Sequence, residues 1–201
     1  MNSRDVPYFS QWESAGLASR FISGELQVRD DPSWATSGAA SQDEYARWAN
    51  HICGMACAKM ILAAKTGTVW PTLELTKWAV ESGAYVVDQD GIRGMIYAPF
   101  VEMAKARFGI EAKVVTGITA ADLPAILRPG SLFIASVHPS IRWLQPPPPK
   151  KGGHLVLVTS ADANEVVFHN PSGHTPETQK NAVAPLQMFG EFFAGRGILV
   201  L

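Results

Sequence analysis

Apolar residues recur at helical spacing between about Ser41 and Gly130, and they form short strand-like runs after that point. Ser41 and Glu44 form a capping box ahead of an apolar stripe, which predicts a helix there. Residues 55–64 are apolar nearly all round, so we expect a helix buried in the middle of the domain, with Gly67 ending it.

Further helices and strands follow from the same patterns. Capping and stop residues predict helices from Thr72 to Glu81, from Pro99 to Phe108, and from Thr119 to just before Pro129. Strands are expected over residues 131–137, 155–160, 166–169 and 198–201. The turn at residues 161–164 is too short to hold a crossover helix, which favours a mostly antiparallel sheet. The predicted fold class is therefore α+β, with helices first and sheet second.

Composition indicates one domain of modest charge. The chain has 201 residues, of which 47% are hydrophobic and 17% are charged, and we expect residues 1–201 to form a single domain around one core. Lys and Arg number 17 against 18 Asp and Glu, giving a formal net charge of -1. This balance argues against nucleic acid or an anionic membrane as the main partner, because either requires an excess of basic residues.

The cellular location and the state of the cysteines follow from simple counts. No apolar run approaches the roughly 18 residues of a spanning helix, and no apolar core follows Arg4, so we expect a cytoplasmic protein. The only cysteines, Cys53 and Cys57, are four residues apart. On one helical turn this geometry rarely suits a disulfide, so both are expected to be thiols.

Cys53 is a candidate nucleophile because of its position at the start of the buried helix. Unpaired backbone N–H groups and the positive end of the helix dipole stabilise a thiolate there, and such positions lower a cysteine pKa to roughly 3.5–7.5. The alternative is that Cys53 and Cys57 are both small buried apolar residues. For Cys57, inside the apolar helix, we keep that alternative.

His154 opens a predicted strand after two glycines and is a candidate base. If Ser160 pairs with Glu165 across the turn, Pro171 lies opposite His154 and Asn170 lies within one residue of it. An asparagine oxygen accepting from one ring nitrogen leaves the other free to exchange a proton with a thiol. The alternative is that the histidine only ends a strand and the asparagine belongs to a plain turn.

A third candidate is the amide of Gln11, at the end of an extended aromatic segment over residues 6–12. A side-chain amide beside the nucleophile can donate to the oxyanion that forms when a thiolate attacks a carbonyl. By itself this feature identifies no function.

Four short blocks together resemble the papain-like cysteine peptidases of the bacteriocin-processing, double-glycine type, and in particular their stand-alone bacterial domains. The blocks are Val-Pro-Tyr-Phe-Ser-Gln (6–11), Cys-Gly-Met-Ala-Cys-Ala-Lys-Met-Ile-Leu (53–62), Gly-Gly-His-Leu-Val-Leu-Val (152–158) and Val-Phe-His-Asn-Pro-Ser-Gly (167–173). The resemblance implies a papain-like fold, with Cys53 as nucleophile, His154 as general base and acid, Asn170 orienting the histidine, and Gln11 in the oxyanion hole.

Two departures from the family pattern affect these assignments. The family places its glutamine a few residues before the cysteine, whereas a long insertion separates Gln11 from Cys53 here, so Gln42 is the alternative donor. That insertion either forms a flap over the site or packs against the helices, and we favour packing. The family commonly shows Asp-Pro where this chain has Asn170 followed by proline, although asparagine serves the same role in papain itself.

The expected function is hydrolysis of a peptide or amide bond through an acyl-enzyme, with a peptide or protein substrate, no cofactor and no metal. Zinc binding is disfavoured for the four side chains that offer suitable ligand atoms, which are those of His51, Cys53, Cys57 and His154. The Cys-x-x-x-Cys spacing on a buried helix differs from the Cys-x-x-Cys spacing of a zinc knuckle. His138 is the alternative base. The functional alternatives are an acyltransferase or peptide cyclase using the same thioester, and a non-catalytic peptide-binding module. The sequence leaves substrate specificity and oligomeric state open.

Overall fold

The computed structural model describes residues 5–89 and 91–201. The first four residues, which contribute to the expectation that no targeting segment is present, lie outside the described residues. The helices are α1 (Ala18–Ser23), α2 (Gln42–Ala49), α3 (Cys53–Thr66), α4 (Thr72–Glu81), α5 (Tyr97–Phe108), α6 (Leu123–Ile126), α7 (Pro176–Gln179) and α8 (Leu186–Phe192). The strands are β1 (Val87–Asp88), β2 (Gly91–Ile92), β3 (Ala112–Thr116), β4 (Leu132–Val137), β5 (His154–Ala161), β6 (Glu165–His169), β7 (Ala182–Pro185) and β8 (Phe193–Val200). No helix in the described ranges is both long and apolar enough to cross a membrane.

The described strands β3 to β8 form a sheet in the order β3-β8-β4-β5-β6-β7, and every neighbouring pair is antiparallel. Strand β4 is buried at every position. Because side chains alternate between the two faces of a strand, Ile134 packs into the core shared with α3, whereas Phe133 packs into a second core with α8. The sheet therefore lies between two apolar layers, and the expected α+β class with helices first is confirmed.

Helix α3 lies in the middle of the larger core, as its composition predicts. Residues 54–63 are all buried, and Gly67 ends the helix in the left-handed conformation. The buried stretch carries one charged side chain, Lys59, whose Nζ lies 3.5 Å from a carboxylate oxygen of Glu13 and 3.1 Å from the hydroxyl of Thr72. A buried charge requires such partners, and these contacts tie the N-terminal segment to α3.

One predicted helix start shifts, and one predicted cap is not formed. Helix α5 begins at Tyr97 rather than Pro99, because a proline is tolerated throughout the first turn. The hydroxyl of Thr72 donates to Glu13 instead of capping α4, and Pro71 is the residue that precedes the helix. The hydrophobic pattern did not predict the edge strands β3 and β7 or helix α8, since edge strands have only part of their surface buried and α8 contains Gly190.

The predicted register of the β5–β6 hairpin is wrong. Ser160 pairs with Val167 rather than with Glu165, and a bulge separates this pair from the pair of Leu157 with His169. If the pairing of Leu157 with His169 is continued toward the start of β5, His154 and Asn170 lie on the same face of the hairpin. The predicted contact therefore forms through a different pairing from the expected one.

The insertion between the candidate glutamine and cysteine packs against the helices, as we favoured, because its residues Ala39 and Trp48 lie against the larger core that contains α3. Its apolar residues form a third buried cluster: Trp12, Ala18, Phe21, Tyr45 and Ala49. Beside this cluster lies the carboxylate of Asp31, which is fully buried and accepts hydrogen bonds from Ser14, Ser33 and Tyr45. The carboxylate thus joins three separate parts of the insertion.

Replacing Asp31 with alanine is expected to destabilise the protein by about 3 kcal/mol, because several buried donors lose their charged acceptor together. Urea unfolding of Asp31→Ala measures this loss. The neighbouring Asp30→Ala is the matched control, since Asp30 is exposed and its replacement is expected to change stability by less than about 0.5 kcal/mol. Equal stability of the two variants would show that the insertion is not packed as described.

Candidate active site

Cys53 is the first residue of α3, and its sulfur lies against the start of β5. The backbone N–H groups of Leu155, Gly54 and Cys53 itself interact with the sulfur. The side chain is partly exposed, whereas Cys57 is fully buried with its sulfur 3.9 Å from the carbonyl oxygen of Leu155. Both cysteines are free thiols, as expected, and Cys53 is the one that reaches the surface.

Gly54 allows the helix to approach this closely. A Cβ atom at this position would lie 2.9 Å from Met95 Sδ, 3.0 Å from Leu155 Cδ1 and 3.0 Å from Tyr85 Oη. These distances are shorter than any side chain tolerates without displacing its neighbours. The Cys-Gly pair at the helix tip therefore has a packing cause: the glycine brings the cysteine against β5.

His154 is held from behind by Asn170 and Ser172. Its Nε2 lies 2.8 Å from Asn170 Oδ1 and 3.0 Å from Ser172 Oγ. The backbone N–H of Ser172 donates to the same Asn170 oxygen at 3.1 Å, which fixes the orientation of the amide. Because that oxygen can only accept, Nε2 carries the ring proton and Nδ1 keeps its lone pair.

Arg142 completes this network. Its Nη2 donates to Ser172 Oγ at 2.8 Å, so the serine joins the guanidinium to the ring of His154. Arg142 ends a short 3-10 helix, Pro139–Arg142, and its charge lowers the pKa values of both Cys53 and His154. Arg142 therefore places a positive charge near Cys53 and His154. Among the described residues, it forms no hydrogen bond with the sulfur.

Cys53 and His154 line one open cleft with a volume of about 300 Å³. The cleft is lined by Cys53, Gly94, Met95, Tyr97, Ser136, Gly153, His154, Leu155 and Arg196. Within the described part of the chain, no hydrogen bond joins the Cys53 sulfur to the imidazole. Candidate nucleophile and base thus share a cleft in a loose arrangement, which is common for such pairs before substrate binds.

Burial decides the protonation state of both groups. It raises the pKa of Cys53 above its ordinary value, although three backbone N–H groups and Arg142 act in the opposite direction. The expectation of a lowered thiol pKa is therefore wrong. Burial also lowers the pKa of His154 to about 4; the hydrogen bond that His154 donates to Asn170 opposes this shift, and the charge of Arg142 adds to it. At neutral pH the resting pair is a thiol and a neutral imidazole.

Gln11 lies close to this site, and Gln42 does not show a comparable placement. The backbone N–H of Gln11 donates to the carbonyl of Pro171 at 2.9 Å, and the hydroxyl of Tyr8 donates to the carbonyl of Asn170 at 3.1 Å. Gln11 is buried, whereas Gln42 is exposed at the first position of α2. The N-terminal segment therefore packs directly against the turn that carries Asn170.

The other histidines have structural partners or lie at the surface. Both ring nitrogens of His169 are occupied, by the carbonyl of Val6 and the backbone N–H of Asn181. His138, the alternative base, lies 2.8 Å from the hydroxyl of Ser140 through Nδ1. His51 is exposed, and no cluster of metal-ligating side chains occurs in residues 5–89 and 91–201.

Sequence reasoning missed Ser172, Arg142 and Arg196. Ser172 had a detectable signal, because it is two residues from Asn170 and two-residue spacing keeps side chains on one face of an extended segment. Arg142 ends a 3-10 helix, and Arg196 lies on a strand between two glycines, so no spacing relates either of them to Cys53. Only the folded chain brings Arg142 to Ser172 and Arg196 to the cleft.

The lowered pKa of His154 predicts a pH-dependent stability. The unfolded chain takes up a proton near pH 6.5, whereas the folded protein does so only near pH 4, so the free energy of unfolding falls as pH drops through this interval. The contribution is on the order of 3 kcal/mol. Urea unfolding between pH 7 and pH 4 is expected to show a clearly smaller pH dependence in His154→Gln, with exposed His51→Gln as control. Full retention of the pH dependence in His154→Gln would contradict this assignment.

Comparison with known proteins places the chain in a family. No curated protein matches it significantly. The peptidase domain of Streptococcus ComA, a bi-functional ABC transporter involved in a quorum sensing pathway, is 18% identical with a TM-score of 0.49, and the match covers 75% of this chain and 91% of that one. A structure described as a C39-like peptidase from Bacillus anthracis is 15% identical with a TM-score of 0.50, covering 76% of this chain and 89% of that one. The second match shows the shared fold and confirms the expected papain-like architecture.

A family model described as "Peptidase_C39 like family" matches residues 4–196, which is nearly the whole chain. The protein therefore belongs to the Peptidase_C39-like family.

Proposed function

We propose that this protein is a cysteine peptidase or amidase in which Cys53 attacks a peptide or amide carbonyl and His154 transfers the protons. The observation that carries the proposal is the shared cleft: Cys53 and His154 both line it, the sulfur interacts with the backbone N–H of Leu155, and His154 Nε2 is bound to Asn170. Membership in a peptidase-like family supports the same reaction class.

The reaction starts from the neutral pair. As the sulfur of Cys53 bonds to the carbonyl carbon, His154 Nδ1 takes the thiol proton and becomes an imidazolium whose Nε2–H donates to Asn170. The imidazolium then gives its proton to the leaving amine as the carbon–nitrogen bond breaks. Water, deprotonated by the neutral ring, attacks the thioester, and the departing thiolate recovers the proton, which yields the acid and the free thiol.

Charge that develops on the substrate oxygen needs donors in the cleft. The backbone N–H of Cys53, at the tip of α3, and the side-chain amide of Gln11 are the proposed oxyanion donors. The packing of Gln11 against Pro171 supports this choice over Gln42, which is exposed on α2. A helix N-terminus also favours negative charge through its dipole.

Ser172 and Arg142 are proposed as positioning residues. Because Arg142 donates to Ser172 Oγ, the serine oxygen is fixed beside His154 Nε2 and helps to hold the ring plane. The positive charge of Arg142 favours the thiolate over the thiol, which partly offsets the cost of burying it. The network therefore assists the sulfur while it keeps the resting imidazole neutral.

A non-catalytic peptide-binding module is the second candidate, and one observation favours it. The resting thiol has a raised pKa and makes no hydrogen bond to His154 in the described residues. A scaffold that only binds peptides does not need that hydrogen bond. Covalent chemistry at Cys53 separates the two candidates.

Labelling with a peptidyl vinyl sulfone tests the nucleophile. The wild-type protein is expected to gain one adduct at Cys53, because His154 takes the thiol proton as the sulfur bonds to the electrophile in the cleft. Cys53→Ala is expected to abolish labelling, and Cys57→Ala, the matched cysteine control, is expected to keep it. Intact-mass measurement followed by peptide mapping reads out both results. Labelling that persists in Cys53→Ala or moves to Cys57 would refute the assignment.

The two glutamines make a second test, with a reactive N-acetyl amino acid p-nitrophenyl ester as substrate. Gln11→Ala is expected to slow release of p-nitrophenolate by about 10²-fold, because it removes one donor to the oxyanion. Gln42→Ala is expected to match the wild type, since its side chain is exposed on α2. The opposite pattern would move the donor to Gln42, and equal rates in both variants would leave the oxyanion to backbone groups alone.

A further inference from the structure

Arg196 places a guanidinium at the edge of the candidate active site. It lies on β8 and lines the same cleft as Cys53 and His154. Its Nη2 is 3.3 Å from the position that a Cβ atom on Gly152 would occupy, and Ser136 Oγ is 3.4 Å from the same point. The arginine head therefore rests over the glycine pair that leads into His154.

The glycine pair makes room for this head. Gly152 has a φ of +90° and the next residue, Gly153, has a φ of +98°, which is backbone geometry that residues with side chains rarely adopt. Any side chain at Gly152 would compete with the guanidinium for the same space. The double glycine before the histidine thus has two effects: it sets the entry of β5, and it leaves the rim of the cleft open to Arg196.

In residues 5–89 and 91–201, no carboxylate forms an ion pair with Arg196. Other arginines pair with carboxylates, as Arg93 does with Asp88 and Arg107 with Glu81. For Arg196 no ion pair or side-chain hydrogen bond occurs among the described residues, and no Asp or Glu lines the cleft. Arg142, not Arg196, is the arginine whose charge lowers the pKa of Cys53. Arg196 is therefore free to act on a group that enters the cleft.

We infer that Arg196 is a specificity residue that binds the carboxylate of an acidic side chain close to the scissile bond, so that the protein prefers peptides with Asp or Glu at that position. The inference rests on the proposed function. A planar guanidinium presents two parallel N–H donors to a carboxylate, which gives geometry as well as charge. The hydroxyl of Ser136, which lines the same cleft, is a further neutral donor near the guanidinium.

The size of the cleft limits where the acidic residue lies. At about 300 Å³ it is at the small end of the range for ligand pockets. An extended peptide advances about 3.3–3.6 Å per residue, so a carboxylate held at Arg196 while the carbonyl meets Cys53 belongs to a residue within about two positions of the scissile bond.

The test uses a series of alanine-based peptidyl vinyl sulfones in which one position at a time carries Glu, its neutral isostere Gln, or Lys. At one position the Glu probe is expected to label Cys53 about tenfold faster than the Gln probe, and 1 M NaCl is expected to reduce that ratio. Arg196→Gln is expected to bring the ratio to about one, and Arg196→Glu to favour the Lys probe. Arg128 is an exposed arginine that precedes the first residue of β4, whereas Ser136 in the cleft lies near the last. Arg128→Gln removes the same charge and is expected to keep the wild-type ratio of Glu to Gln labelling rates.

A binding measurement separates this inference from the proposed function. Cys53→Ala, which cannot react, is titrated by isothermal calorimetry with the matching Glu and Gln peptide amides, with and without Arg196→Gln. If the Glu peptide binds more tightly only when Arg196 is present, and no probe labels the wild-type protein, then Arg196 binds a carboxylate but the protein is not a peptidase. Equal Glu and Gln behaviour in both assays, or a Glu preference that survives in Arg196→Gln, would overturn the inference whatever the labelling result.

Discussion

The start of helix α3 lies directly against the start of strand β5, and the rest of the site depends on this contact. The backbone N–H of Leu155 points at the sulfur of Cys53, and the missing side chain of Gly54 permits the approach. Because His154 immediately precedes Leu155, the same contact that seats the sulfur also fixes the distance to the imidazole. A helix from one half of the chain and a hairpin from the other half thus form one cleft.

Burial and positive charge oppose each other at this site. Removing the sulfur from water raises its pKa, while the helix tip and Arg142 favour the thiolate. The same burial and the same arginine lower the pKa of His154, so the ring stays neutral and keeps a lone pair for the thiol proton. The resting site is consequently uncharged at its centre and positive at its rim, where Arg196 lies. This distribution suits a substrate that brings negative charge with it.

The sequence predicted the parts of the site that depend on local pattern. Apolar residues all round α3 indicated a buried helix, and its tip placed Cys53 where backbone N–H groups point outward. Counting residues across the predicted turn placed Asn170 near His154. The count did not predict the bulge in β5, because bulges depend on how both strands pack against the two cores. The direction of the thiol pKa was wrong for a related reason: the extent of burial is a property of the folded chain. Tertiary structure alone brings Arg142 to Ser172 and Arg196 to the cleft, and no spacing in the sequence indicates either placement.

We propose that Asn170 holds the imidazole of His154 with a proton on Nε2, which leaves the lone pair of Nδ1 to accept the proton of Cys53 in the shared cleft. Nitrogen-15 NMR of the histidine rings at pH 7 measures this directly, before and after Cys53 is converted to its S-methylthio form. We expect a protonated Nε2 and an unprotonated Nδ1 for His154, with the Nδ1 chemical shift moving when Cys53 is modified. A proton on Nδ1, or a ring that does not respond to modification of Cys53, would contradict it.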